Sequence, residues 1–162
     1  INVATGSAVT LAKYVIDVAH ANGMLVHIFG IGAPALVAML KGIGADSSDS
    51  SSWLKAAGFG QVFLPLMRAY NISHRITVSE LQKGITASQF LKLRALTEHQ
   101  CRLCRSIPAL QDHKMHHAVH NLRAIQESVD IMNHERMELA QRIYSNGSPK
   151  YRQEYDKWLL LP

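Results

Sequence analysis

The first 65 residues alternate between stretches with a helical spacing of apolar side chains and short apolar runs. In residues 5–21 the apolar positions recur every three or four residues and Asn22-Gly23 ends the pattern, which predicts an amphipathic helix. Residues 24–29 form a short apolar run beside glycine, which is typical of a buried parallel strand. The same alternation predicts further helices at 34–40 and 51–57 and further strands at 43–49 and 61–64.

Helices that alternate with short strands are the repeat of a parallel α/β sheet or barrel. A complete (β/α)8 barrel needs about 250 residues, so residues 1–65 can supply only the last βα units of one. The predicted fold class is therefore α/β, a C-terminal portion of a (β/α)8 TIM barrel with an appended helical subdomain.

The remainder of the chain is predicted to be mainly helical. Residues 66–85 carry β-branched side chains with weak periodicity, which indicates a loop or a small sheet appendage. The predicted helices lie at 87–98, at 109–145 as one long or interrupted helix, and at 149–160. We divide the chain into barrel units at 1–65, a basic and metal-binding segment at 66–122, and C-terminal helices at 123–162.

Composition limits the class of protein further. Of 162 residues, 48% are hydrophobic, which is enough to bury a core and excludes a wholly disordered chain. No apolar run approaches the roughly 18 residues of a membrane span, so no membrane partner is expected. Two cysteines are too few for the disulfide framework of a small secreted protein, and this favours a cytoplasmic location. The first residue is Ile1 rather than Met, which is compatible with a trimmed chain that lacks its front end.

The net charge of +5 is concentrated in the middle of the chain. Residues 66–110 contain seven basic residues against two acidic ones, whereas the segments on either side are balanced. A local basic stretch is typical of contact with nucleic-acid phosphates, and it is equally compatible with a solvated surface that keeps the protein soluble.

Asp46 and Asp49 follow a predicted strand and are surrounded by serines. The carboxyl end of a strand is where catalytic side chains gather in a parallel barrel, and a carboxylate there can act as nucleophile, base or Mg²⁺ ligand. The alternative is that the Asp and Ser residues of this stretch cap the next helix by accepting hydrogen bonds from its first N–H groups. Both roles are possible together, with Asp46 holding the loop and Asp49 facing a substrate.

A second group of candidate residues lies near the pair Cys101-x-x-Cys104. Two cysteines at this spacing can hold one side of a tetrahedral Zn²⁺, which then needs two more ligands. His99 lies two residues upstream and His120 fifteen intervening residues downstream. The further histidines on the same predicted helix face are His113, His116 and His117. A four-ligand site would be structural, and the alternative is two unrelated thiols.

In their order along the chain, these features resemble the tRNA-guanine transglycosylase family (queuine/archaeosine tRNA-ribosyltransferases). The residues that carry the resemblance are His27-Ile28-Phe29-Gly30-Ile31-Gly32, then Gly44-Ala45-Asp46-Ser47-Ser48-Asp49, then His99-x-Cys101-x-x-Cys104 and His120-Asn121-Leu122. Two departures are that His99 replaces the family's first cysteine and that the gap from cysteine to histidine is shorter. The sequence that follows Asp49 is similar to the sequences of the paralogous branch that inserts 7-deazaguanine bases into DNA.

The resemblance implies an enzyme, a pentosyltransferase that replaces guanine by a 7-deazaguanine base in nucleic acid, with DNA favoured over tRNA. Asp49 would be the nucleophile that forms a covalent glycosyl intermediate, while Phe29, Gly30 and Asp46 would contact the substrate. The implied partners are DNA or tRNA, the 7-deazaguanine base, and either a second copy of the chain or a complementing barrel segment.

The resemblance also implies a structural Zn²⁺ held by His99, Cys101, Cys104 and His120. Two other readings of the sequence stay open. One is a non-catalytic, zinc-bearing nucleic-acid-binding module or partner subunit, and the other is a fragment of an aldolase-like barrel with Asp49 as a metal ligand.

Overall fold

The computed structural model describes residues 5–72, 84–132, 136–146, 152 and 156. These residues form a mixed α/β structure that is mostly helical. The elements are α1 (Thr5–Ala21), β1 (His27–Phe29), α2 (Pro34–Gly42), β2 (Ser47–Asp49), α3 (Ser52–Gly58), β3 (Gln61–Val62), β4 (Tyr70–Asn71), α4 (Ala87–Leu96), a 3-10 turn (Leu103–Arg105), α5 (Ile107–Asp112), α6 (Lys114–Met132) and α7 (Met137–Ser145).

The described strands form two separate two-stranded sheets. β1 pairs in parallel with β2, which confirms the predicted βαβ order for the first two strands. β3 instead pairs antiparallel with β4, so the third predicted strand does not extend the parallel pair. β4 forms the small sheet expected in the basic stretch, and the rest of that prediction, residues 73–83, lies outside the described residues.

The prediction that β1 is a buried strand is wrong for most of its side chains. Ile28 packs with Leu40 of α2, but His27 and Phe29 alternate to the opposite face and are exposed. All three side chains of β2 are also exposed. The reason is that, within the described residues, α1 and α2 cover only one face of this parallel pair.

The helix predictions are largely confirmed. α1, α2, α3 and α4 lie at or near their predicted positions, and the long C-terminal prediction is interrupted into α5, α6 and α7. Only Arg152 and Asp156 of the predicted last helix are described, and both are helical. No helix in the described part of the chain is long and apolar enough to cross a membrane.

The main core gathers around α6, which packs against α2 and α3. Its fully buried large side chains include Met39, Leu64, Phe90, Ile131 and Tyr144, so it draws on all three segments of the predicted division at 1–65, 66–122 and 123–162. The division itself stays a prediction.

Residues 63–67 are buried beneath α6 although they belong to no helix or strand. Their polar backbone groups must therefore find partners elsewhere. Asn121 accepts from the Phe63 N–H at 2.7 Å and donates to the carbonyls of Trp53 and Gln61, each at 3.1 Å. Two helical turns further on, Ser128 accepts from the Leu66 N–H at 3.0 Å. Side chains of α6 thus replace the sheet hydrogen bonds that this segment lacks.

We expect Asn121→Ala to lower the free energy of unfolding by about 3 kcal/mol, because it leaves one buried donor and two carbonyls without their partner. Chemical denaturation followed by circular dichroism measures this change. Asn22→Ala is the matched control, since Asn22 is exposed and makes one hydrogen bond to Val18 at the end of α1. Equal effects of the two substitutions would contradict the role given to Asn121.

Candidate metal centre and strand-end site

Four side chains come together between α4, the 3-10 turn and α6. One potential ligand atom from each of His99, Cys101, Cys104 and His120 lies within 4.8 Å of all the others. Cys104 and both histidines are buried, and Cys101 is half-buried. Two sulfurs and two imidazole nitrogens at such separations could hold one metal ion, as the sequence predicts.

The backbone around α4 positions the first ligand. A capping box between Thr86 and Gln89 begins this helix, and Glu98 ends it with a positive φ of 54°. This left-handed residue turns the chain so that the His99 N–H bonds back to the Arg94 carbonyl at 3.2 Å, as in a Schellman ending. His99 is thereby directed under the helix rather than along it.

Arg94 ties the cysteine loop to the same helix. Its guanidinium donates to the carbonyls of His99 and Cys104, both at 3.3 Å. The 3-10 turn that follows Arg102 brings Cys104 back toward Cys101, whose carbonyl lies 3.4 Å from the Cys104 Sγ. Arg94 is therefore engaged in holding the loop, and its charge is less available to an external partner.

Hydrogen bonds on the outer side of each imidazole fix which nitrogen faces the cluster. His99 Nδ1 lies 2.5 Å from a Glu127 carboxylate oxygen, and His120 Nε2 lies 2.9 Å from the Phe63 carbonyl. Both acceptors take an N–H, so the lone pairs of His99 Nε2 and His120 Nδ1 are left to face each other. These two atoms are 3.4 Å apart. Two nitrogens bound to a tetrahedral ion at about 2.0–2.1 Å are separated by about 3.4 Å.

The two thiols share one hydrogen bond, and their pKa values move in opposite directions. Hydrogen bonding from Cys104 lowers the pKa of Cys101, and the two histidines lower it further. The same hydrogen bond and burial raise the pKa of Cys104. The hydrogen bond thus favours the thiolate on Cys101, and the thiolate is the form of cysteine that binds a metal.

Glu127 contacts His99, and the two side chains change each other's pKa. Burial opposes protonation of His99, but hydrogen bonds with Cys101 and Glu127 outweigh burial and raise the pKa of His99. Burial likewise disfavours the Glu127 carboxylate, yet His99 and Arg123 together lower the pKa of Glu127. Arg123 donates to the second carboxylate oxygen at 2.8 Å. This carboxylate–histidine pair is the arrangement that commonly orients metal-binding imidazoles.

The other histidines of the predicted helix face do not join the centre. His116 bonds to the Ala109 carbonyl at 3.0 Å, and His113 packs against the ring of His116. His117 is buried, which lowers its pKa and keeps its ring neutral. A position on the same helix face is therefore not enough to bring a histidine into the centre. Among these histidines, only His120 lies on the turn of α6 that passes over the cysteine loop.

The candidate residues near the ends of β1 and β2 lie at two different places. The β1–β2 register pairs Phe29 with Asp49, and the Gly30 N–H bonds to the Asp49 carbonyl at 3.0 Å, so these three residues lie at one edge. Asp46 lies before β2, at the other end of the strand. There it accepts from the Val26 N–H at 2.7 Å and contacts His20 Nε2 at 2.9 Å.

Neither aspartate caps α3, but a serine of the same loop does bond to its first turn. The residue before this helix is Ser51, whose side chain makes no capping hydrogen bond, and the Ser50 Oγ accepts from the Ser52 N–H at 3.0 Å. The glycine turn after β1 is closely packed at Gly32 and open at Gly30. A Cβ added at Gly32 would lie 2.2 Å from the Ser50 Oγ, whereas one added at Gly30 would meet no atom within 4 Å.

Sequence reasoning missed Glu127 and the Phe63 carbonyl, which orient the two histidines. Glu127 lies seven residues after His120, two turns along the same helix face, and this spacing was an available signal. A backbone carbonyl carries no signal in the sequence.

The basic stretch is partly on the surface. Arg68, Lys92, Arg102 and Arg105 are exposed, while Arg75 and Lys83 lie outside the described residues. Arg102 lies between the two cysteines and Arg105 directly follows Cys104, so two exposed positive charges lie beside the candidate metal centre.

For the metal centre we expect wild-type protein to carry one metal ion per chain by native mass spectrometry, and Cys104→Ser and His120→Ala to lose it. Glu127→Gln should still bind but with about 10- to 100-fold lower affinity in a competitive chelator titration, because His99 loses its orienting acceptor.

Two substitutions serve as matched controls for this test. His113→Ala removes an exposed histidine of the same region, and Glu138→Gln removes an exposed carboxylate of α7. Both should retain wild-type affinity. Metal binding that survives Cys104→Ser would rule out this ligand set.

Asp46→Asn tests the structural role of Asp46 through pH. The Val26 N–H bond, followed by the His20 contact, lowers the pKa of Asp46 from its ordinary value. The Asp46 carboxylate then contributes to the free energy of unfolding above pH 4. This contribution is lost as the pH falls through the lowered pKa of Asp46 in the folded protein.

Asp46→Asn should therefore destabilise the protein at pH 7 and differ progressively less from wild type below pH 4, as thermal unfolding will measure. Asp17→Asn, which removes an exposed pair with Lys13 on α1, is the control and should have little effect at pH 7. A destabilisation by Asp46→Asn that is independent of pH would contradict this role.

The described residues thus hold two groups of candidate side chains, a buried metal centre and an exposed strand edge. Comparison with known proteins gave no match: no protein-family model matches the chain, and neither a curated protein nor a solved structure matches it.

Proposed function

We propose that this chain is the C-terminal part of a guanine transglycosylase that exchanges guanine for a 7-deazaguanine base in nucleic acid, with DNA favoured over tRNA. The observation that carries the proposal is the parallel register that sets Asp49 beside Phe29 and Gly30 at the carboxyl edge of two strands. In a parallel barrel this edge is where catalytic groups lie. That further parallel strands complete a barrel around this edge is also part of the proposal.

The ion of the metal centre is Zn²⁺ in this proposal. Two thiolates and two imidazoles in a tetrahedral arrangement are a common zinc donor set. Cys101, Cys104 and both histidines together complete four-fold coordination, so no position remains for a substrate or a water. The ion supplies stability by joining α4, the cysteine loop and α6, and the chemistry takes place elsewhere.

Asp49 is the nucleophile in the proposed reaction. Its side chain is 62% exposed, which leaves it accessible to a nucleic acid. A carboxylate oxygen forms a bond to C1′ of the sugar while the bond from C1′ to N9 of guanine breaks. The electron pair stays with guanine, which takes up a proton and leaves. A 7-deazaguanine base then attacks C1′, gives up the equivalent proton and releases Asp49.

A carboxylate suits this exchange because the transition state resembles an oxocarbenium ion, as in retaining glycosidases. Phe29 is 75% exposed beside Asp49 and offers an aromatic face to the base. Gly30 lies next to it with an open side, since a Cβ there would meet no atom within 4 Å. Asp46 acts on the opposite end of the strand, where it holds β1 to α1.

The exposed arginines around the cysteine loop supply the contact with nucleic acid in this proposal. Arg102 and Arg105 would bind phosphates, which positions a backbone without selecting a sequence. Neither cysteine is in a disulfide, and this suits a reducing compartment such as the cytoplasm.

The second candidate function is a zinc-bearing nucleic-acid-binding module without catalysis. The observation that favours it is the openness of the strand edge, where β1 and β2 expose nearly all of their side chains. Such a module would retain phosphate binding through Arg102 and Arg105 and would need no free carboxylate.

The test uses the full-length protein that contains this chain, incubated with labelled guanine and either duplex DNA or tRNA. We expect label to exchange into nucleic acid and a covalent protein–nucleic-acid adduct to survive denaturation. Asp49→Asn should abolish both, because an amide is not a competent nucleophile, and it should leave the metal content unchanged.

Asp17→Asn is the control for loss of a surface carboxylate and should exchange guanine like wild type. An adduct that persists in Asp49→Asn would rule out the nucleophile. Salt-sensitive nucleic-acid binding by wild-type protein without any exchange would favour the binding module.

A further inference from the structure

Four side chains share the exposed face of the β1–β2 pair. Because side chains alternate along a strand, His27 and Phe29 point to the same side of β1, and Ser47 and Asp49 to the same side of β2. The parallel register sets His27 opposite Ser47 and Phe29 opposite Asp49. The imidazole of His27 contacts all three neighbours.

The distances around His27 are specific to each ring nitrogen. Nδ1 lies 2.8 Å from the Ser47 Oγ, and Nε2 lies 3.8 Å from the Asp49 Oδ1. The ring also meets Phe29 edge to face, with 4.3 Å between the ring centroids. Three contacts from two strands therefore hold this exposed ring in one orientation.

Ser47 determines where the proton of a neutral His27 lies. If Nδ1 donated to the serine, the lone pair of Nε2 would face a carboxylate oxygen, and two acceptors would oppose each other. If the Ser47 hydroxyl donates to Nδ1, the proton lies on Nε2 and points toward Asp49. The second arrangement has a donor facing an acceptor at both ends of the ring.

The two oxygens of Asp49 then differ. Oδ1 accepts from the Gly30 N–H at 3.3 Å and faces His27 Nε2. Among the described residues, Oδ2 has no such partner. We infer that His27, with its tautomer set by Ser47, is a positioning residue that holds Oδ1 of Asp49 and leaves Oδ2 to attack C1′. This inference rests on the proposed function, since it assigns the attacking atom of that reaction.

Fixing a carboxylate plane has a kinetic consequence. The last torsion of an aspartate is broad, so an unheld carboxylate rotates through orientations that do not point at the sugar. Holding a reactive group in its attacking geometry accelerates the reaction without tightening the binding of substrate. His27 should therefore affect the rate of adduct formation more than the affinity for nucleic acid.

The experiment measures single-turnover adduct formation by the full-length protein on labelled guanine-containing DNA and tRNA. We expect His27→Ala to slow the saturating rate about 10- to 30-fold with little change in the half-saturating concentration. His27→Gln should recover most of the rate, because its amide N–H can occupy the place of Nε2. Ser47→Ala added to His27→Ala should cost no more than His27→Ala alone, since Ser47 acts through the ring.

Ser48→Ala is the matched control, because Ser48 is the neighbouring serine of β2 and points to the opposite face. It should react at the wild-type rate. A second measurement is the nitrogen chemical shifts of His27, which should show the proton on Nε2 in wild type and a mixture of tautomers in Ser47→Ala.

The outcomes separate the two proposals. Wild-type protein that forms no adduct on either nucleic acid overturns the proposed function and this role together. An adduct that His27→Ala forms at the wild-type rate overturns the role of His27 alone. A His27 proton on Nδ1 in wild type overturns the role of Ser47, whatever the rates.

Discussion

The hydrogen bonds that α6 makes to β3 and to the irregular segment 63–67 are the constraint on which the rest of the structure depends. The irregular segment passes through the core without the regular pairing of a sheet, and its buried N–H and C=O groups would be costly if unpaired. His120, Asn121 and Ser128 pair with the backbone of Phe63, Gln61 and Leu66. A slip of α6 by one residue would break all of these bonds at once, so they fix its register.

The same register creates the metal centre. His120 uses its Nε2 for the Phe63 carbonyl, and this commitment turns Nδ1 toward His99. On the other side, the left-handed Glu98 directs His99 under α4, and the Glu98 carboxylate is held by Arg136 and Arg142 near α7. The centre is thus assembled from groups whose positions are set by hydrogen bonds to the rest of the fold. An ion bound there would add to the stability of this arrangement.

Sequence alone predicts the parts of this protein in which a pattern of side chains decides the structure. The apolar spacing places α1 to α4, and the parallel β1–β2 pair follows from the alternation of helix and strand. The spacing of Cys101, Cys104 and His120 likewise predicts the group of side chains that could hold a metal ion, because ligand chemistry depends on residue type. The partner of β3 was not predictable, since a two-residue strand is too short to carry a periodic signal.

The burial of individual side chains was also not predictable from the sequence, because it depends on which other elements cover each face of a strand. An apolar run such as 24–29 predicts a strand but not whether its second face meets another layer. Phe29 illustrates the difference, being apolar by type and exposed in position. Glu127 is the opposite case, a charged residue that is largely buried. Its hydrogen bonds with His99 and Arg123 offset the cost of removing the carboxylate from water.

The metal centre and the strand edge are connected through α3. Asn121 follows the ligand His120 directly, and its side chain holds the Trp53 carbonyl in the first turn of α3. Only three residues separate Trp53 from Asp49, and the loop between them is closed by the bond from the Ser50 to the Ser52 hydroxyl. Gly32 packs against these serines so closely that no side chain fits there. We therefore expect an ion bound by the four side chains to restrain, through α6, the loop that carries Asp49 as well.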